Sequence, residues 1–239
     1  MTKIENQIKE LRLLGMATSW NALLETKQQH ELSLSEGLEI LLQGEKEDRI
    51  NRRFERLKRG AKFRYSATIE ELIYDNTRGI NKSQITELAT GNYLNKGESI
   101  LITGATGCGK SFAASALGHR ACSQGIAVLY FNIQKLLLKI KMARIDGTVF
   151  KLFDKIAKAG LLILDDFGLT HLDKKQQMDL MEIIEDRHAK KATIIVSQLP
   201  VTSWYEIIGE ATIADAILDR LVHTSHRVEL KGSSLRKKL

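Results

Sequence analysis

Residues 104–111 read Gly104-Ala105-Thr106-Gly107-Cys108-Gly109-Lys110-Ser111, a G-x-x-x-x-G-K-S run. Glycines at these places let successive backbone N–H groups curl around an anion, and a helix opening at the end of the run directs its positive end at the same point. The pattern predicts a phosphate-binding loop in which these residues surround a nucleotide. Lys110 reaches the β- and γ-phosphates, and the Ser111 hydroxyl is a ligand for Mg²⁺. The flanks agree: residues 99–103 are an apolar, β-rich run, and residues 112–119 carry a helical pattern. Strand, loop and helix in that order is the context such a loop requires.

Downstream, strands and helices alternate. Residues 127–131, 161–164, 193–196 and 227–230 read as strands; 136–143, 149–159, 174–189 and 213–222 read as helices. Continuous apolar strands separated by helices predict an α/β fold, a parallel sheet flanked by helices on both faces. The strand 161–164 runs into Asp165-Asp166. In open α/β sheets ligands bind beyond the carboxyl ends of the strands, so both acids are expected beside the phosphate loop. Asp165 suits Mg²⁺, held in part through water. Asp166 suits orientation or deprotonation of an attacking water; capping of the next helix is the plainer alternative. Ser197-Gln198 follows the next strand, where either side chain could position water or sense the γ-phosphate. Asp219-Arg220 alone reads as a surface ion pair. His171, His188, His223 and His226 have no metal-ligand spacing, and Pro200 lies past a strand end.

Upstream, residues 1–65 read as an all-helical N-terminal domain, 66–97 as a connector with a helix near 82–90, and 98–239 as the nucleotide domain with a short basic tail. Gly15 is expected to break the first helical run, and Ser33-x-x-Glu36 to open a long helix as a capping box. Between residues 46 and 64 stand nine Lys or Arg against three acids. Arg49, Arg52, Arg53, Arg56 and Arg59 form one helical stripe, Lys58 is a further candidate for DNA contact, and Ile50, Phe54, Leu57 and Ala61 line the face opposite the stripe. Most charge runs are merely solvated. The imbalance of sign here favours phosphate contact, so this stripe is the expected site for duplex DNA. No base-reading motif accompanies it, and binding is expected to be sequence-independent.

The 239 residues carry a formal charge of +7. That permits a nucleic-acid partner without requiring one. No apolar run approaches the ~18 residues of a membrane span, and the N-terminus lacks a signal-peptide pattern. Cys108 and Cys122 are expected to be free thiols, in keeping with a reducing cytoplasm. No N-K-x-D follows the phosphate loop as in GTPases, and neither the transporter signature L-S-G-G-Q nor the protein-kinase motif set is present.

The motifs in order resemble a known family. Leu-Leu-Gly-Met-Ala at 13–17, the loop at 104–111, the stretches 161–168 and 193–200, and Ala-Asp-Ala-Ile-Leu-Asp-Arg-Leu-Val-His at 214–223 are similar to the IstB family. These are AAA+ helper ATPases of bacterial insertion sequences, near relatives of the DnaC and DnaI helicase loaders. The resemblance implies Mg²⁺-dependent ATP hydrolysis, ATP-dependent self-association on DNA, selection of target DNA and stimulation of a partner transposase. It also implies that Arg220 is an arginine finger reaching a neighbouring subunit's nucleotide, with Arg227 a lesser candidate. Two departures from the wider AAA+ pattern stand out. Asp166 occupies a place where many relatives have Glu. Only 19 residues follow Arg220, too few for a helical C-terminal lid domain, which leaves Arg236 a weak stand-in for a lid-borne sensor. A replicative helicase loader is the alternative function, and a small-molecule P-loop kinase a remote one.

Overall fold

The computed structural model describes residues 3–235. The chain forms two compact units, residues 1–56 and 57–239, dividing inside a long helix; composition alone placed the end of the helical region at residue 65.

The first unit is built from α1 (Lys3–Glu10), α2 (Leu14–Glu25) and most of α3 (Leu34–Ala61). The break between α1 and α2 is not at Gly15, as expected, but at Arg12, whose φ is +59°. Gly15 lies in the first turn of α2 and serves helix packing instead. A Cβ there would stand 2.3 Å from the Gly44 carbonyl oxygen of α3, so only glycine permits this approach. α2 has no capping side chain of its own at Leu13. Glu45 of α3 takes that part, its Oε2 accepting from the Gly15 and Met16 N–H groups at 2.9 and 3.4 Å. A carboxylate at a helix N-terminus satisfies otherwise unpaired donors and meets the positive end of the dipole. The expected capping box opens α3, with Ser33 N–H donating to Glu36 Oε2 at 2.8 Å and Glu36 N–H to Ser33 Oγ at 3.3 Å.

The second unit continues with α4 (Lys82–Thr90), α5 (Asn92–Lys96), β1 (Ser99–Gly104), α6 (Lys110–Ser123), β2 (Val128–Asn132), α7 (Ile133–Ile145), α8 (Val149–Lys158), β3 (Leu161–Phe167), α9 (Lys174–Arg187), β4 (Ala192–Ser197), α10 (Trp204–Ile208), α11 (Ala211–Val222) and β5 (Ser225–Leu230). The strands form one parallel sheet in the order β2-β3-β4-β1-β5. Ile100, Leu101 and Ile102 of β1 and residues 161–164 of β3 are buried, as central strands covered on both faces must be. One face packs α7, α8, α9 and α11 through residues such as Ile140, Phe153, Ile183 and Ile217. Among the described residues, none beyond β5 forms an α-helix.

The short helices α5 and α10 have no counterpart in the sequence expectations. α10 forms because Trp204, wholly buried, packs edge-on against Phe167 at 4.8 Å and donates its indole N–H to the Leu199 carbonyl at 3.2 Å. Arg187, at the end of α9, is also buried, and burial pulls its pKa down to about 10. Its guanidinium donates to the carbonyls of Ile156, Ala159 and Ala192 and to Thr193 Oγ1, tying the end of α8 to the start of β4.

Candidate functional site

The parallel order brings the carboxyl ends of β1, β2, β3 and β4 to one edge, and each contributes to the site. β1 passes into the 104–111 loop, where Gly107 and Gly109 hold φ values of +82° and +101°. α6 begins at Lys110, so its N-terminus faces the loop. Lys110 is buried, and its Nζ donates to the Ala105 carbonyl at 2.7 Å. Cys108 is also buried, and both cysteines are free thiols; burial pushes the Cys122 thiol up to about 12.

β3 delivers the two aspartates differently. Asp165 is 1% exposed. Its Oδ1 accepts from Ser111 Oγ at 3.1 Å and from the Asp166 N–H at 2.8 Å; its Oδ2 accepts from Tyr130 OH and from Arg64 Nη1, the latter at 3.2 Å. Asp166 has a left-handed backbone, φ +60°, where the β3–β4 register shifts between Leu164 and Phe167. Its Oδ2 accepts from Asn132 Nδ2 at 2.8 Å and Arg64 Nη1 at 3.0 Å. Burial raises the Tyr130 pKa, and the hydrogen bond to Asp165 raises it further, so the phenol keeps its proton. Burial alone would lower the Arg64 pKa, but Asp165 and Asp166 outweigh it and hold the guanidinium charged.

Ser197 and Gln198, alternatives on sequence grounds, separate in the structure. Ser197 is fully buried; its hydroxyl donates to the Phe167 carbonyl at 2.8 Å and accepts from the Leu199 N–H at 3.0 Å. Gln198 faces the 104–111 loop, its Oε1 accepting from Thr106 Oγ1 at 2.7 Å. Arg64, Tyr65, Thr106, Lys110, Asp166 and Gln198 line a cavity of about 280 Å³ beside the loop. A second cavity of about 200 Å³ adjoins it through Gly109, Phe112 and Leu235, and is lined by apolar Leu72, Ile73 and Ile80.

Arg220 is not at this cavity. On α11, its Nε lies 2.5 Å from Glu185 Oε2 of α9, and its Nη1 donates to the Ala216 carbonyl. Arg227 is exposed on β5, and Arg236 lies outside the described residues. On α3, Arg49 is paired with Glu45 at 2.7 Å and Arg52 with Asp48 at 2.6 Å. Arg53, Arg56 and Arg59 are exposed, Lys58 is half-buried, and Ile50 on the opposite face is exposed too.

The sequence reading missed Arg64, Tyr130 and Asn132. Asn132 had a usable signal, being polar at the carboxyl end of a strand, and it pairs with Asp165 across the β2–β3 ladder. Arg64 stands 101 residues before Asp165, and no local pattern connects them. Ser111 Oγ and Asp165 Oδ1, two hard oxygens in contact, suit Mg²⁺, which prefers such donors and retains waters. Among the described residues no group of three or more His, Cys, Asp and Glu could hold a metal.

The family described as IstB-like ATP binding protein matches residues 6–239. An insertion sequence ATP-binding protein of Sinorhizobium fredii is 40% identical over 232 residues, 97% of this chain and 95% of its own length. The ATP-binding protein of insertion sequence IS1162 from Pseudomonas fluorescens is 39% identical over 82% of this chain and 85% of its own. Among solved structures, the DnaC helicase loader superposes with a TM-score of 0.61 at 20% identity, covering 70% of this chain and 98% of that one. The chain belongs to the IstB-like ATP-binding family, and its sheet and flanking helices have the AAA+ fold.

Proposed function

We propose that this IstB-like protein is a Mg²⁺-dependent ATPase that assembles on duplex DNA and acts as the helper of an insertion-sequence transposase in the bacterial cytoplasm. The observation that carries the enzymatic part is the run Ser111–Asp165–Asp166: a hydroxyl, a buried carboxylate and a second carboxylate facing the loop cavity. Residues 104–111 wrap the phosphates, and Lys110 swings from the Ala105 carbonyl to the β- and γ-phosphates. The adjoining apolar cavity takes the base. Ser111 and Asp165 would hold Mg²⁺, which when bound would offset phosphate charge.

Asp166 orients a water in line with the γ-phosphorus and takes its proton as the new P–O bond forms and the bond to the β-phosphate oxygen breaks. Gln198, bonded to Thr106 of the loop, is placed to report the γ-phosphate. Ser197 fixes the strand end behind it. Arg220 supplies charge to a neighbour's site, in keeping with its distance from its own cavity. The basic stripe on α3 contacts phosphates of DNA; the helical unit of residues 1–56 serves DNA and partner binding, while the chemistry falls to residues 57–239, whose Arg64 and Tyr65 line the nucleotide cavity beside the 104–111 loop.

The test is phosphate release by the purified chain with and without duplex DNA. DNA-stimulated release of free phosphate, with no phosphorylated acceptor, is expected. The likeness to DnaC favours one competing reading, a replicative helicase loader. Pull-down against a replicative helicase and against an insertion-sequence transposase separates the two.

A further inference from the structure

The site contains a cation that the reading above leaves without a task. Arg64 Nη1 lies 3.2 Å from Asp165 Oδ2 and 3.0 Å from Asp166 Oδ2, so one nitrogen bridges both carboxylates. Two adjacent carboxylates, one of them buried, repel each other unless a cation stands between them.

Arg64 is held there by its neighbours. Lys62, with φ +58°, ends α3. The Phe63 ring then packs 4.6 Å from the His119 ring and edge-on to Tyr130 at 6.2 Å. This contact needs Gly118, where a Cβ would stand 2.4 Å from Phe63 Cε1. Tyr65 packs 6.1 Å from Phe112, and Ala67 is wholly buried. An anchored residue on either side fixes the backbone of Arg64. Its own side chain stays 40% exposed and lines the cavity, so it has room to leave.

We infer that Arg64 is a resident counter-ion of the aspartate pair that Mg²⁺–nucleotide must displace, and so a positioning residue that sets how much Mg²⁺ nucleotide loading requires. The inference rests on the nucleotide-site reading above. A divalent ion between Ser111 Oγ and Asp165 would share the carboxylate with the guanidinium, and like charges at that separation compete. With Arg64 in place, Asp165 is neutralised when the site holds no metal. With Mg²⁺ bound, the guanidinium turns into the open cavity.

The test is binding of a fluorescent, non-hydrolysable ATP analogue to the full chain, titrated with Mg²⁺ and repeated in EDTA. The variants are Arg64→Ala, Arg64→Gln and Arg64→Lys, each checked by thermal melting. If one neutral variant fails to fold, the other carries the comparison. Removing the charge is expected to lower the Mg²⁺ concentration at half-saturation roughly tenfold, the worth of one charge-assisted hydrogen bond. Affinity at saturating Mg²⁺ should hold, affinity in EDTA should fall, and Arg64→Lys should stay near the parent. An unchanged Mg²⁺ requirement in a folded neutral variant overturns the inference alone. Affinity lost equally at saturating Mg²⁺ makes Arg64 a phosphate ligand and also overturns it. A parent chain that binds no nucleotide would sink the nucleotide-site reading, and this inference with it.

Discussion

Asn132 joins the end of β2 to the second aspartate of β3: its Nδ2 donates to Asp166 Oδ2 at 2.8 Å, while its Oδ1 accepts from the Lys135 N–H of α7 at 3.2 Å. One side chain thus orients the proposed base and caps a helix. The two tasks separate by substitution. Asn132→Ala is expected to cost about 1 kcal/mol of stability through the lost cap and to slow ATP turnover. Asn132→Asp keeps the cap and places a like charge beside Asp166, so turnover should fall with stability largely kept. Thermal melts and kcat on both variants check this; a slow but fully stable Asn132→Ala would refute the capping role.

Lys110→Ala removes the cation of the phosphate loop and should abolish ATP binding. Asp166→Asn keeps shape and loses the carboxylate. It is expected to bind Mg²⁺–ATP and assemble on DNA while hydrolysing roughly 10²–10⁴-fold more slowly, the usual contribution of a positioned base. Normal turnover by Asp166→Asn would remove that residue from the chemistry.

Arg220 is paired with Glu185 and stands away from its own cavity. Arg220→Ala should bind ATP normally yet lose DNA-stimulated hydrolysis, by up to roughly 10³–10⁵-fold for a finger supplied from a neighbour. Mixing it with Asp166→Asn should restore part of the activity, because only mixtures create junctions with both residues intact. Assembly of each variant is confirmed first by light scattering. No recovery in a mixture that assembles would count against action between subunits.

Arg49 and Arg52 already share α3 with the acids that pair with them. Replacing Arg52, Arg53 and Arg56 together with alanine should weaken duplex DNA binding and flatten its salt dependence by about 0.9 log unit per lost phosphate contact. Nucleotide affinity should not change. Anisotropy titrations across a range of salt read both numbers, and an unaltered slope would show that this face does not meet the DNA backbone.

Glu45 provides a pH test of the helical unit. Burial opposes its ionisation, but Arg49 and the N–H groups of Met16 and Gly15 outweigh that and hold the carboxyl below the ordinary 4.5. A depressed folded value means the stabilisation is complete above about pH 4.5 and is lost as pH falls through the folded pKa. Glu45→Gln should therefore destabilise α2 against α3 by about 1 kcal/mol at pH 7, and the gap from the parent should close in acid. Denaturant unfolding at pH 7 and pH 3 reads it; a gap that persists at pH 3 would mean the carboxylate charge is not the cause.

The sheet was legible because β1, β3 and β4 are unbroken apolar runs, and a strand buried on both faces leaves no other pattern. The meeting of the 104–111 loop with Asp165-Asp166 was legible because each run is local and a parallel sheet carries the carboxyl ends of its strands to one edge. Arg64 and Tyr130 were not, since their meeting with Asp165 depends on how distant segments pack. Gly15 misled for a related reason. In sequence a glycine reads as a breaker, whereas here it answers the Gly44 backbone of another helix. Trp204 and Pro200 carried no periodic signal, so α10 escaped notice.

Arg187 gives the nucleotide unit a division of labour between its two ends. Its guanidinium binds carbonyls where β3 and β4 begin, at the pole opposite the aspartates. The cation acts as mortar, joining three backbone segments with no carboxylate among the partners described for it. Tolerance to mutation should then be polar along the strands. Changes at the mortar end lower the yield of folded protein and leave each surviving molecule fully active. Changes at the aspartate end leave the yield intact and silence the molecules that fold.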